Sequence, residues 1–164
     1  MSQYQAGTLV VYGNLGVHEI EAVGPQSFCG EPAREYYTLR PYFSDSHDRS
    51  YIPTAKEGIL RPVSTPACLE QVRSEPDAAP ASANQTVLAE HYQAVIHTND
   101  FYEYLKLYRE LAHKQSTQRS KGRKVNAMDA YFYQMAERTL REELAVAFHE
   151  TPEAAARRLE AAVS

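Results

Sequence analysis

Tryptophan is absent from the 164 residues, and cysteine occurs only twice. Cys29 and Cys68 cannot build a disulfide framework, and neither stands in a C-x-x-C pair suited to zinc or redox work. A small disulfide scaffold is therefore excluded, and a reducing compartment is expected. No apolar run approaches the roughly 20 residues that span a bilayer. The opening Met1-Ser2-Gln3-Tyr4-Gln5 has neither the basic flank nor the hydrophobic core of a signal peptide. The expectation is a cytoplasmic protein with no membrane partner. Six scattered histidines offer no i, i+4 pair with a glutamate base, and no G-x-S-x-G elbow is present. Without a convergent acid, base and nucleophile the chain is not expected to be an enzyme, nor to carry a metal or cofactor. A formal charge of −4 excludes a protein that coats nucleic acid with its whole surface, while leaving local clusters to be read separately.

What is present suffices for one ordinary domain or two small ones, because 43% of the residues are apolar. The organising stretch is Thr8–Val23. Leu9, Val10, Val11 and Tyr12 form a compact run bounded by Gly7 and Gly13, which fits a strand buried on both faces. Gly13-Asn14-Leu15-Gly16 reads as a turn requiring positive φ; it lacks the further glycine and the helix of a dinucleotide fingerprint. From Val17 the pattern alternates, with Ile20 and Ala22 on one face and Glu19 and Glu21 on the other. Residues 24–34 are rich in Gly, Pro and polar side chains and are expected to connect strands. Glu35–Phe43 gives a third strand with Tyr37 and Leu39 facing one way and Tyr36, Thr38 and Arg40 the other. Arg49–Thr54 ends at Pro53, whose missing N–H suits a strand end or an edge. Ile59–Val63 is a last extended piece. Such short strands within about sixty residues predict a small, strongly bent sheet or barrel.

Pro66–Arg73 allows a short helix through Leu69 and Val72. Residues 74–84, S-E-P-D-A-A-P-A-S-A-N, then carry two prolines and no large apolar side chain, so a linker separates a β domain (1–73) from a helical domain (85–164). Downstream, Leu88, Tyr92, Val95 and Ile96 recur at helical spacing, as do Phe101, Tyr104, Leu105, Tyr108, Leu111 and Ala112. Asn99 or Asp100 is the expected cap of that second helix. A third helix runs from about Asn126 to Phe148 with Met128, Phe132, Met135, Leu140 and Leu144 inward. A fourth has Thr151 as N-cap, Pro152 at its first position and Ala155, Leu159, Ala162 and Val163 as its buried face. The fold class is α+β, a small β domain followed by a helical bundle.

Two clusters are candidate sites. Lys114–Lys124, K-Q-S-T-Q-R-S-K-G-R-K, gathers five cations without one acid in an otherwise acidic chain. It reads either as a phosphate-contacting loop or as a solvated connection between helices. Tyr36, Tyr37, Tyr42, Phe43 and Tyr51 exceed what one small core needs. Alternation turns some of them outward, either as a protein-binding patch or as cross-strand pairs that only stiffen the sheet.

In order and spacing these features resemble the CarD/CdnL family of bacterial transcription regulators that bind RNA polymerase. V-V-Y-G-N-L-G-V-H-E-I is similar to the family's V-V-Y-P-x-H-G-V-G-x-I, and G-E-P-A-R-E-Y-Y-T-L comes next as the strand bearing Tyr and Leu. Y-I-P-T-A-K-E-G-I-L-R is similar to V-P-x-x-x-x-x-G-[LV]-R. N-D-F-Y-E-Y-L-K-L-Y-R-E-L corresponds to the helix after S-G-D, and R-T-L-R-E-E-L-A-V-A fits the helix beyond. The resemblance spans nearly the whole chain. It implies a Tudor-like small β-barrel that docks on the RNA polymerase β subunit, and a helical bundle that contacts promoter DNA and stabilises the open complex, without catalysis or cofactor. Carried onto this sequence, Arg49, Tyr51 and Ile52 fall on the docking strand, while Lys121, Arg123 and Lys124 are the cations available to the DNA backbone. Gln26 and Tyr51 stand where some members carry arginines that touch polymerase. The family wedges a tryptophan into the minor groove. Here an ungapped match puts Gln85 at that position, and anchoring on Tyr92 puts Leu88 there, the one of the two that can act as an apolar wedge. The protein is expected to act as a monomer. The alternative is an interaction module that binds polymerase or another large protein without touching DNA.

Overall fold

The computed structural model describes residues 3–67 and 84–163. The linker residues 74–83, Cys68, Leu69 and Val72, and the side chains of Ala162 and Val163, lie outside the described part. The chain divides into two compact units, Met1–Val63 and Ser64–Ser164.

The first unit is an antiparallel sheet of five strands: β1 (Leu9–Tyr12), β2 (Val17–Gln26), β3 (Arg34–Pro41), β4 (Ser50–Pro53) and β5 (Leu60–Pro62). Their order is β4-β3-β2-β1-β5, so β4 and β5 are edges and hydrogen bonding does not close the sheet into a barrel. β1 is buried on both sides as expected, with Val10 and Val11 fully inaccessible. The turn after β1 is a 3-10 segment, Gly13–Leu15, with φ of 50° at Gly13 and 92° at Gly16. Both glycines therefore occupy backbone that a side chain would strain.

Two expectations for this unit need correction. Ala22 does not share the face of Ile20. Ile20 pairs with Leu39 and Ala22 with Thr38, so Glu21 is the extra residue of a β-bulge. Beyond it the alternation is reversed, Val23 opposite Tyr37 takes the inward position, and Ala22 is exposed. Residues 24–34 are also not wholly a connection, because β2 continues to Gln26 and β3 begins at Arg34. The core of the unit is Val10, Ile20, Tyr37, Leu39, Ile52 and Leu60.

In the second unit, residues 66 and 67 begin a helical turn at the edge of the described part, and beyond residue 84 come α1 (Gln85–His97), α2 (Phe101–Ser120), α3 (Ala127–Ala147) and α4 (Pro152–Val163). Each starts where a short polar side chain takes up free N–H groups. Asn84 accepts from Thr86 and Val87, Asp100 from Tyr102 and Glu103, Asn126 from Met128 and Asp129, and Thr151 Oγ1 from Ala154. Asp100 rather than Asn99 is thus the cap of α2; Asn99 sits at φ 48° in the bend before it. The four helices share one core, including Leu88, Tyr92, Tyr104, Leu111, Phe132, Leu140, Leu144 and Leu159.

Helix α2 runs seven residues into the basic stretch, so Lys114–Ser120 is helix and the turn begins only at Lys121. Arg123 N–H donates to Gln118 O at 2.9 Å and Gly122 N–H to Arg119 O at 3.0 Å, with Gly122 at φ 69°, which is the Schellman arrangement. The end of α3 repeats it through Glu150 to Ala145 O and His149 to Val146 O, but the left-handed position, φ 54°, holds His149. A histidine there is strained where glycine is not. His149→Gly is expected to stabilise the protein by roughly 0.5–1 kcal/mol, the relieved left-handed strain less the greater freedom of glycine in the unfolded chain, read as a rise in the chemical denaturation midpoint; an unchanged or lowered midpoint would show that the His149 side chain compensates the strain.

Candidate functional site

On the sheet unit, the candidate surface lies on the side of β3 and β4 away from the core. Tyr36 pairs across from Pro53 and Thr38 across from Tyr51, so Tyr36 and Tyr51 are diagonal neighbours. The loop after β2 turns back through Cys29 and Gly30, both at positive φ, and brings Phe28 against the two tyrosines with ring centroids 5.1 Å apart in each case. Phe28 and Tyr51 remain 37% and 42% exposed. A three-ring patch, exposed at Phe28 and Tyr51 and half-buried at Tyr36, thus adjoins the free edge strand β4. A second exposed pair, Tyr42 and Phe43, packs edge to face at 4.9 Å.

The expected docking residues divide. Tyr51 is outward, and Arg49 is half-buried, its Nε 2.6 Å from Glu21 Oε2. Glu21 is the bulge residue, so the register shift is what presents a carboxylate to Arg49. Ile52 is corrected: alternation turns it into the core at 6% exposure, and only its backbone can belong to a surface. Phe28 was not foreseen, because a lone aromatic in a loop rich in Gly and Pro gives no periodic signal.

Behind the patch, Tyr37 anchors the N-terminal segment. Its hydroxyl donates to Glu57 Oε2 at 2.6 Å and accepts from the Gln3 and Tyr4 N–H groups at 2.9 and 3.2 Å, and Gln3 N–H also reaches Glu57 at 3.0 Å. The Tyr37 hydrogen bond, followed by that of Gln3, holds the Glu57 carboxyl below its ordinary range. A lowered folded-state pKa contributes stability that is complete above the unfolded value and is lost as pH falls through the folded one. Between about pH 5 and pH 3, Glu57→Gln should therefore lose less of its melting temperature than the parent chain. Equal losses would mean that this contact does not contribute to the acid sensitivity.

In the helical unit the run Lys114–Lys124 does two separate things. Lys114 Nζ lies 2.9 Å from Asp129 Oδ2, and Tyr92 donates to Asp129 Oδ1 at 3.0 Å. Asp129 is fully buried, whereas the lysine side chain is about one-third exposed. The lysine approaches off the hydrogen-bond direction, so the contact is an ion pair. Burial first, then the Asp129 charge, pushes the Tyr92 hydroxyl well above its ordinary pKa, so it stays a proton donor. This triad ties α1, α2 and α3 together and is a fold element. The remaining cations, Arg119, Lys121, Arg123 and Lys124, are exposed, and no ion pair engages them among the described residues. The Gly122 turn gathers three of them within four residues.

Leu88 is corrected as a wedge. It is 3% exposed and packed in the helical core, so it cannot enter a base step without opening α1. Gln85, the alternative at that position, is exposed at the first position of α1 and accepts from Asn126 Nδ2 at 3.4 Å. In this unit the exposed large apolar side chains among the described residues are Val87 and Tyr131. Tyr131 was missed, although it stands off the Met128, Phe132, Met135 stripe and was legible as an aromatic out of phase.

No helix of the described residues is long and apolar enough to cross a membrane. The chain matches no known family model, and no curated protein is detectably similar to it.

Proposed function

We propose that the protein is a bacterial transcription regulator of the CarD/CdnL kind, which docks on the RNA polymerase β subunit and stabilises the open promoter complex. The sheet is read as the Tudor-like docking domain and the helices as the bundle that meets DNA, in a cytoplasmic monomer without catalytic activity. The observation that carries the reading is the free edge strand β4, in the segment that resembles the family's docking strand, with Tyr51 and Phe28 exposed beside it. An edge offers backbone N–H and C=O groups for strand addition, and an exposed aromatic next to it supplies the anchoring side chain. Lys121, Arg123 and Lys124 would contact the DNA backbone. An exposed Cys29 thiol fits a reducing interior.

The test is capture of purified bacterial RNA polymerase by the full chain and by Tyr51→Ala. The substitution is expected to weaken capture about tenfold or more, in keeping with the loss of a central aromatic, with the circular dichroism spectrum unchanged. Capture at parental strength would remove this surface from the reading. The second reading, a polymerase-binding module that does not touch DNA, is favoured by the burial of Leu88 in a chain with no tryptophan.

A further inference from the structure

We infer that the helical unit binds single-stranded nucleic acid, with Tyr131 stacking on a base and the Arg119–Lys124 cations holding the adjoining phosphates. The inference rests on the DNA-contacting half of the reading above but not on polymerase docking.

Three observations carry it. Tyr131 is 59% exposed, the most open of the large apolar side chains described. Its ring contact, with Phe132 at 5.2 Å, is T-shaped at 81°, so among the described residues no stacked ring covers it. Second, it lies on a solvent stripe of α3, Ala127, Tyr131, Gln134 and Arg138, that contains no carboxylate. Residues spaced by three and four share one face of a helix. Third, that stripe begins at the basic turn: Lys124 stands two residues before the cap Asn126, and Asn126 to Tyr131 spans only about 7.5 Å of helix rise.

Cations beside an exposed aromatic make the two-part surface that single strands use, because the phosphates need charge and an unpaired base offers its π face. Duplex DNA satisfies the cations but keeps its bases stacked, so it gains nothing from Tyr131. A polyanion without bases likewise satisfies the cations and leaves Tyr131 unused. In a promoter complex the ligand would be a melted strand.

The chain's lack of tryptophan makes the test direct, since Tyr131→Trp introduces a sole indole. Labelled oligothymidine, a duplex of mixed sequence and heparin would each be titrated against the full chain, Tyr131→Ala, Tyr131→Phe, Tyr131→Trp, and the Lys121→Ala, Arg123→Ala, Lys124→Ala triple variant. Expected are tighter binding of oligothymidine than of duplex and about tenfold weaker oligothymidine binding by Tyr131→Ala with duplex binding unchanged. Parental affinity in Tyr131→Phe, and indole quenching by oligothymidine but not by heparin, complete the expected pattern. Losses in Tyr131→Ala that are equal for oligothymidine and duplex, or absent for both, would overturn the stacking role and leave only electrostatic contact. If oligothymidine does not bind while the triple variant still weakens polymerase–promoter complexes, this inference fails and the proposed function stands. If the triple variant changes neither, the DNA-contacting reading fails with it.

Discussion

Lys114→Met should destabilise the helical unit by about 3–5 kcal/mol, the usual cost of leaving a buried charge without its partner. The asymmetry of the pair decides which partner matters more. Asp129 is fully buried and would keep only the Tyr92 hydroxyl, whereas Lys114 is about one-third exposed and could turn to water if Asp129 were removed. Asp129→Asn should accordingly cost less than Lys114→Met. Replacing both, Lys114→Met with Asp129→Leu, should recover much of the loss, because a buried pair exchanged for apolar volume is often near neutral. Urea melts monitored by helical circular dichroism would give the three values. Additive losses in the double variant would mean that the two side chains are not coupled.

The second large effect concerns DNA. Removing Lys121, Arg123 and Lys124 together should weaken association with polymerase–promoter complexes to a similar degree on different promoters, since backbone contacts carry no sequence code. The dependence of log affinity on log salt should become shallower by about one unit for each lost contact. Lys114 makes a useful contrast, since it belongs to the same basic run but is committed to Asp129. Loss of Lys114 should reduce stability and leave the salt slope nearly unchanged in the fraction that remains folded. A triple variant with the parental slope would show that the exposed cations only solvate the turn.

Much of this architecture was legible because its signals are local. The Thr151 cap, the Asn99–Asp100 pair that contains the cap of α2, the start of α3 near Asn126 and its inward stripe come from spacing and side-chain chemistry alone, as does the double burial of β1. The features that were misread depend on partners distant in sequence. The bulge at Glu21 is invisible in an alternating pattern, because only pairing with β3 shows that Ala22 faces Thr38. Leu88 and Ile52 were placed at a surface by resemblance to the family. Helical spacing puts Leu88 in an apolar stripe while Ile52 is given no facing, and in the structure both are core residues. Lys114 looked like one more solvated cation until α3 brought Asp129 within 2.9 Å. Phe28 carries no pattern of its own, and its exposure becomes visible only when the rest of the fold has claimed the other aromatics, whereas Tyr131 signals itself by standing out of phase with the inward stripe of α3.

The central claim is stabilisation of an open promoter complex by a protein held on the polymerase β subunit, and the lifetime of that complex measures it most directly. Competitor-resistant open complexes of bacterial RNA polymerase would be formed with no protein, with the full chain and with Tyr51→Ala, and their decay recorded. The full chain should lengthen the lifetime. Tyr51→Ala should shift that lengthening to higher protein concentration, by about tenfold or more, without abolishing it at saturation. A lifetime that the full chain leaves unchanged while it remains bound to polymerase would contradict the claim and favour the module that binds protein without touching DNA.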